Sequence, residues 1–476
     1  MPNPQAAGGA AIEPVAGLWS PERRGLTLGL VLTITLVAAE ALAVPTAMPI
    51  VARDLGGQEL YGLVFTAFSV GALIGIVAVG ALIDMEGVVR PFVGGLALFG
   101  IGLLIGGLAP SMPVLIAARF IQGIGGGAIP PVAYVAIGRA MPASLRPRMF
   151  AYLSTAWILP GVFGPAIAGF VAQELHWRLV FLGLLPLIAL PGGLATRALI
   201  EVHEAHPPFR AGGSISRRIG LAVGVAVGVV LVTAGLESPE PELTLGLGVV
   251  GLVVIGAFFK SLAPPGTMTL ARGFPTAVLL RGVLTFAWFC VDAYVSLLLV
   301  DVRGWSATAA GIALTAATLS WTGGSWVQAR LSHRYRPEQF VRVGFPIVAL
   351  GLAGMWLVLQ PSIPAELAVP IFGIGGFGMG LTYSQFALIV LRDVPPAEQG
   401  TVTAGLTLSD TLGTALGLGV SAAIVAASYR AGQGYVPGLA LAFILGSVAA
   451  VVGLVISPRL VVRARPRTAG APEALG

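Results

Sequence analysis

The chain has 476 residues, of which 56% are hydrophobic and only 10% charged, with a mean hydropathy of +0.91; soluble domains carry roughly a quarter of their residues as charges. This composition excludes a soluble protein and points to a polytopic membrane protein, so the net charge of +6, which would suggest a nucleic-acid partner in a polar chain, is read here through the positions of the arginines. One cysteine, Cys290, excludes an intrachain disulfide, and the four histidines all fall between apolar runs, so neither an intramembrane histidine relay nor a metal site is expected.

Residues 1–25 begin with an Ala-, Gly- and Pro-rich stretch and are read as a disordered tail, with residues 26–50 as a retained helix and not a signal peptide. About twenty apolar residues cross a bilayer. Runs of that length occur at about 26–50, 61–83, 91–109, 113–138, 149–172, 178–199, 219–236, 243–260, 279–300, 307–328, 340–359, 367–391, 401–428 and 436–457, which makes fourteen expected helices. The connections alternate in charge. Twenty-two basic residues, Arg281 counted among them, fall on one side, and only Arg53, Arg178, Arg303 and Arg430 on the other. Because Lys and Arg accumulate on the cytoplasmic side of membrane proteins, both termini are expected to be cytoplasmic.

The two ends of the chain share features. Arg90-Pro91 and Arg336-Pro337 lie 246 residues apart, and Gly123-Ile-Gly125-Gly126 matches Gly373-Ile-Gly375-Gly376 at a separation of 250. These matches predict an all-α membrane protein of two six-helix halves, 26–200 and 273–457, around a linker at 201–272 that carries two inserted helices, with a basic tail at 458–476.

Glu40 lies near the middle of the first run, where a charge costs roughly 2.5–3.5 kcal/mol on insertion scales. It is expected to face a polar cavity as a proton or cation site; a static ion pair joining two helices is the alternative. Arg119, in the fourth run, is a permanent cation that requires an anion or backbone carbonyls, and Glu40 is the nearest candidate. A motion that separates the pair would take the cation away from a buried carboxylate and so drive proton uptake. Asp292 and Asp410 are two further acids at membrane depth. Trp288 stands one turn before Asp292 and, with Phe289 and Tyr294, offers an aromatic wall for a lipophilic cation. Trp157, Trp321, Tyr383, Gln385 and Phe386 complete the expected cavity lining. No phosphate-binding loop, metal-ligand cluster or nucleophile elbow is present in the sequence, so protons, and no bound cofactor, are the expected coupling agent.

A series of motifs, taken in chain order, resembles the major facilitator superfamily, specifically its fourteen-helix drug:proton antiporter branch. Glu40 to Pro49 looks like the first-helix signature with Glu in place of the usual Asp. Gly80-x-Leu82-x-Asp84-x-x-Gly87 with Arg90 is similar to the loop motif between helices 2 and 3. Leu115-x-x-x-Arg119-x-x-Gln122-Gly123-x-Gly125 matches the helix 4 signature, and Gly161-x-x-Gly164-Pro165-x-x-Ala168-Gly169 the helix 5 antiporter motif. Trp177-Arg178-x-x-Phe181 and Val302-Arg303-Gly304-Trp305-Ser306 fit the same branch.

The resemblance implies two bundles that alternate access to a midplane cavity, and export of a hydrophobic, cationic or zwitterionic compound in exchange for protons. It also implies a monomer in the inner (plasma) membrane with a small-molecule substrate, the bilayer as its surroundings and no nucleic acid. It assigns Glu40, Arg119, Asp292 and Asp410 to coupling. Asp84, Gly87, Arg90, Gly123, Gly161, Gly164 and Pro165 are assigned to the conformational gate, with Asp84 at the positive N-terminus of a facing helix. The loop motif departs from the family pattern at Met85, Val88 and Val89, where bases or polar groups are usual, and helix 4 ends Gly138-Arg139-Ala140 without the acid that often completes the relay. An organic-anion symporter or facilitator, and a non-transporting membrane sensor, are the rival functions.

Overall fold

The computed structural model describes residues 17–56, 60–205, 215–238, 240–305 and 307–461, and the regular elements among them are all helical. Fourteen long helices follow the fourteen runs: α1 Arg24–Leu55, α2 Tyr61–Glu86, α3 Val89–Gly107, α4 Met112–Ala140, α5 Arg146–His176, α6 Arg178–Val202, α7 Ile215–Glu237, α8 Pro241–Leu262, α9 Phe274–Val302, α10 Ala307–Leu331, α11 Pro337–Val358, α12 Ala365–Asp393, α13 Gln399–Arg430 and α14 Val436–Ile456. Thirteen are long and apolar enough to cross a membrane. The fourteenth, α10, has 25 residues, ample for the ~30 Å hydrocarbon layer, but Thr315, Thr318, Ser320, Thr322 and Ser325 dilute its apolar character. Polar side chains are tolerated there because α10 faces the opposite bundle, where Ser325 donates to Ser154 at 3.0 Å and the Trp326 indole to Thr155 at 3.0 Å.

Helices α1–α6 and α9–α14 form two bundles, held together by backbone-to-backbone approach at glycine. Without a hydrophobic drive between helices in lipid, close van der Waals packing supplies the attraction. Gly123 and Gly127 of α4 rest on the carbonyls of Phe68 and Ala72 in α2, and Gly376 and Gly380 of α12 rest on those of Ala317 and Trp321 in α10. Gly125 meets Phe99 and Gly95 as Gly378 meets Val348 and Gly344. Gly376 stands 253 residues after Gly123, and Gly378 253 after Gly125, while the partner residues stand 249 apart. The expected repeat is present, but its register is corrected: Gly123 corresponds to Gly376 and not Gly373, and the matched Arg-Pro pairs are three residues out of step. A run so rich in glycine matches itself at several offsets, and only the packed backbone selects one. At Gly123 any Cβ would overlap the Phe68 carbonyl. Gly123→Val is therefore expected to lose roughly 1–3 kcal/mol of stability or more in unfolding of the purified protein. Gly94→Ala, where a Cβ meets nothing within 4 Å, should not.

Four features depart from the sequence reading. The tail read as disordered folds back over Gly17–Arg23: Leu18 is buried, and the Trp19 indole donates to the Tyr152 hydroxyl at 3.0 Å; residues 1–16 and 462–476 lie outside the described set. Helix α9 begins at Phe274, with Pro275 in its first turn, so Arg281 is a helix-interior residue, 1% exposed, and not a loop charge. α5 breaks at Ala156-Trp157, where Pro160 lacks the N–H that would bond the Ala156 carbonyl and its ring crowds that carbonyl. Finally, the inserted hairpin of α7 and α8, read as part of a linker, packs on both halves: α7 lies on the seam between bundles, against α2 of one and α13 of the other.

Both described ends of the chain lie on one side of the bundles, here the terminal side, and it is closed. Besides the Ser325 and Trp326 bonds, Gln328 donates to the Pro147 carbonyl and Arg146 to the Leu391 carbonyl, each at 3.4 Å. Trp19, Tyr152 and Trp326 stack edge to face across the same seam.

Candidate functional site

Glu40 sits halfway along α1 and Arg119 two turns into α4, and the fold brings them together. The Glu40 carboxylate is fully buried and accepts a hydrogen bond from Arg119 Nη1, which also donates to Gln122 Oε1 at 2.6 Å. The Phe68 ring of α2 covers the guanidinium, 4.3 Å from its carbon to the ring centre. Glu40 Oε2, Arg119 Nε and Gln122 Nε2 are buried without a hydrogen-bond partner. A buried pair gains from mutual attraction only what desolvation leaves over, and orphaned donors and acceptors reduce that margin. The arrangement can therefore exchange its internal partner for a proton if the helices shift.

A second cluster, which includes a residue the sequence reading placed elsewhere, lies in the other bundle. Arg281 Nε donates to Asp410 Oδ1 at 2.9 Å and Nη2 to Oδ2 at 3.4 Å, Nη1 donates to the Tyr383 carbonyl at 2.6 Å, and the Tyr383 hydroxyl donates to Asp410 Oδ2 at 2.9 Å. Arg281 also stacks on the Tyr383 ring. The signal for Arg281 was legible: Phe274-Pro275 is a helix start with Pro in its first turn, which places residue 281 inside the span. From Tyr383 an aromatic chain continues, edge to face onto Trp321 at 5.2 Å, then Trp288 at 5.9 Å, which stacks flat on Phe372 at 4.7 Å. In the corrected register Phe372 is the counterpart of Arg119, 253 residues on. Where one bundle pairs Glu40 with Arg119, the other stacks Trp288 on Phe372.

The remaining expected site residues are spread more widely. Asp292 is half-buried where α9 is interrupted, with Trp288 one turn before it, and Tyr294 lies in that interruption. Trp157 is 43% exposed at the break in α5. Gln385 spends its amide on Gln328 at 2.6 Å and Phe386 is fully buried, so neither lines open space in this conformation. Gly161 and Gly164 are not at crowded contacts: a Cβ would stand 3.7 Å from Thr318 and 3.9 Å from Leu42, and Pro165 is exposed beside them.

Asp84, at the terminal-side end of α2, crosses to the other bundle. It accepts from the backbone N–H groups of Gly400 and Thr401, each at 2.8 Å, and from the Thr401 hydroxyl at 2.6 Å. These are the free amides of the first turn of α13, where a carboxylate is favoured. Gly87 has φ +83°, a left-handed conformation that turns the chain after α2. Arg90 does not join the crossing; it is exposed and pairs with Glu86 at 3.7 Å.

On the opposite side, Trp177 and Arg178 tie α6 to its neighbours. The Trp177 indole donates to Asp54 at 2.7 Å, and Arg178 reaches Asp54 at 3.4 Å and the Ala109 carbonyl at 3.0 Å. The indole hydrogen bond, helped by Arg178, holds the Asp54 carboxyl below the usual range against the opposing effect of desolvation. Arg303 likewise binds the carbonyls of Val358, Gln360 and Ile363.

Two six-helix bundles, each holding a buried charge pair and joined at one end by a carboxylate on a helix terminus, have the architecture of a membrane transporter. The model of the Major Facilitator Superfamily matches residues 30–418, and the chain belongs to that family. Multidrug resistance protein 3 of Bacillus subtilis is 27% identical over 410 residues, 83% of this chain and 78% of that protein. A probable multidrug-efflux transporter of Mycobacterium tuberculosis is 26% identical over 436 residues, 88% of this chain and 91% of the other. The crystal structure of the human organic anion transporter MFSD10 superposes with a TM-score of 0.69 at 16% identity, covering 92% of this chain and 99% of that one, a likeness of fold.

Proposed function

We propose that this protein is a proton-coupled antiporter that exports hydrophobic, cationic or zwitterionic small molecules by alternating access. The observation that carries the reading is the fully buried Glu40–Arg119 pair with its unpartnered carboxylate oxygen: a carboxylate that can trade an internal cation for a proton is the element proton exchange requires. The names of the multidrug relatives support a drug as cargo, and the Trp288–Trp321–Tyr383 chain beside Asp410 supplies aromatic faces suited to a lipophilic cation. With the arginine-rich terminal side cytoplasmic in the plasma membrane, the conformation described is outward-facing. In proteoliposomes with an imposed pH gradient, ethidium or a similar amphiphilic cation should move against its gradient, and its addition should release protons in a buffer-free assay. Accumulation that ignores the pH gradient overturns the coupling; absence of flux for any amphiphile tested overturns the export reading.

A further inference from the structure

We infer that the inserted hairpin is part of the gate, and that Arg218 of α7 is a positioning residue holding Thr401 on Asp84 when the terminal side is shut. The inference rests on the alternating-access reading above. Its starting point is a deficit: the loop after α2 offers Met85, Val88 and Val89 where bases would steady the Asp84 crossing, and Arg90 turns away to Glu86. One cation of the same bundle, Arg139 at the end of α4, acts on Asp84 through its charge alone, its buried guanidinium making no hydrogen bond; the cation that reaches the crossing through a hydrogen bond comes from outside both bundles. Arg218 Nη1 donates to the Thr401 hydroxyl oxygen at 2.6 Å, and that hydroxyl donates its own proton to Asp84 Oδ2 at 2.6 Å. A guanidinium on the hydroxyl oxygen polarises the O–H toward the carboxylate, so each bond of the relay strengthens the next.

The packing of α7 explains why this relay depends on the state of the bundles. Its buried residues Ala222, Val225, Ala226 and Val229 recur at i, i+3, i+4 and i+7, one helical stripe, and they share a single apolar cluster with Leu73, Ile76 and Val77 of α2 and with Ala404, Leu408 and Leu412 of α13. The stripe thus covers the seam from outside. At the opposite end of the hairpin, Arg430 of α13 donates to the Ser238 carbonyl at 3.3 Å. The polar ties of α7 run to α13 at both of its ends, while most of its packing on the bundles is against α2, so the Arg218–Thr401–Asp84 relay is complete only while the two bundles are together at this side. Opening the terminal side withdraws Asp84 from Thr401, and the hydroxyl that Arg218 polarises then loses its acceptor.

The test is a distance measurement, so it can fail while proton exchange stands. Spin labels on cysteines introduced at Ala143 and His333, exposed terminal-side loop positions of the two bundles, report closure in the full-length protein, the native Cys290 being buried. Arg218→Ala is expected to raise the long-distance, open population at least threefold, with Arg218→Lys restoring part of the closed state. Asp84→Asn should open the same side, and the double variant should match Asp84→Asn alone, because Arg218 acts through Thr401 on that carboxylate. A distribution unchanged by Arg218→Ala while Asp84→Asn opens the gate overturns the proposal, as does an additive double variant. Should Arg218→Ala fail to fold, Arg218→Met keeps the packing of the side-chain stem and removes only the donor, with the same expectations.

Discussion

Glu40→Gln is expected to abolish uphill movement of cargo while leaving downhill exchange in place. Each tenfold of accumulation corresponds to about 1.4 kcal/mol, so one proton exchanged per molecule lets a single pH unit support about a tenfold gradient. Gln keeps the size of the side chain and an oxygen for Arg119, but it binds no proton in the physiological range. The variant should therefore equilibrate cargo across a proteoliposome membrane without concentrating it, whatever the pH gradient. The burial of both partners makes the effect large, since nothing else in contact with Arg119 titrates: its other neighbours are Gln122 and Phe68. A variant that still concentrates cargo tenfold per pH unit would move the coupling site elsewhere, and Asp410 or Asp292 would be the next to replace.

Arg281→Leu is expected to produce the largest loss of stability of any single replacement in the second bundle. Removing one partner of a buried pair strands the other, at about 3–5 kcal/mol; Asp410 retains 18% of its side-chain exposure and the Tyr383 hydroxyl, which argues for the lower end. Adding Asp410→Asn to Arg281→Leu removes the stranded charge and should recover most of the loss, because what destabilises is the uncompensated carboxylate and not the missing bond. The two variants can be compared by denaturant or thermal unfolding in the same detergent. If the double variant is no more stable than Arg281→Leu, packing of the arginine stem and not its charge holds the site.

The Arg281 result also shows where sequence and structure part. Composition, run length and the alternation of arginines fixed an all-helical membrane protein of fourteen helices with an inserted pair, because the bilayer imposes a length and an apolarity that a single chain must write out locally. The same constraint singled out Glu40, Arg119 and Asp410, since a charge inside an apolar run is conspicuous. Position along the run is less well determined. The apolar count began at 279, the folded helix begins at Phe274, and those five residues separate a loop arginine from a buried one. Register between the halves failed for a related reason: glycines recurring every two or three residues give several equivalent matches, and the choice is made by which backbone each one touches.

What only the tertiary structure decided is partnership. That Glu40 meets Arg119, that Asp84 finds the first turn of α13 316 and 317 residues away, and that Arg218 reaches Thr401 from the inserted pair are contacts between segments far apart in the chain. Local sequence states that a buried charge requires a partner; the crossing of helices, set by glycine contacts, determines which one it receives.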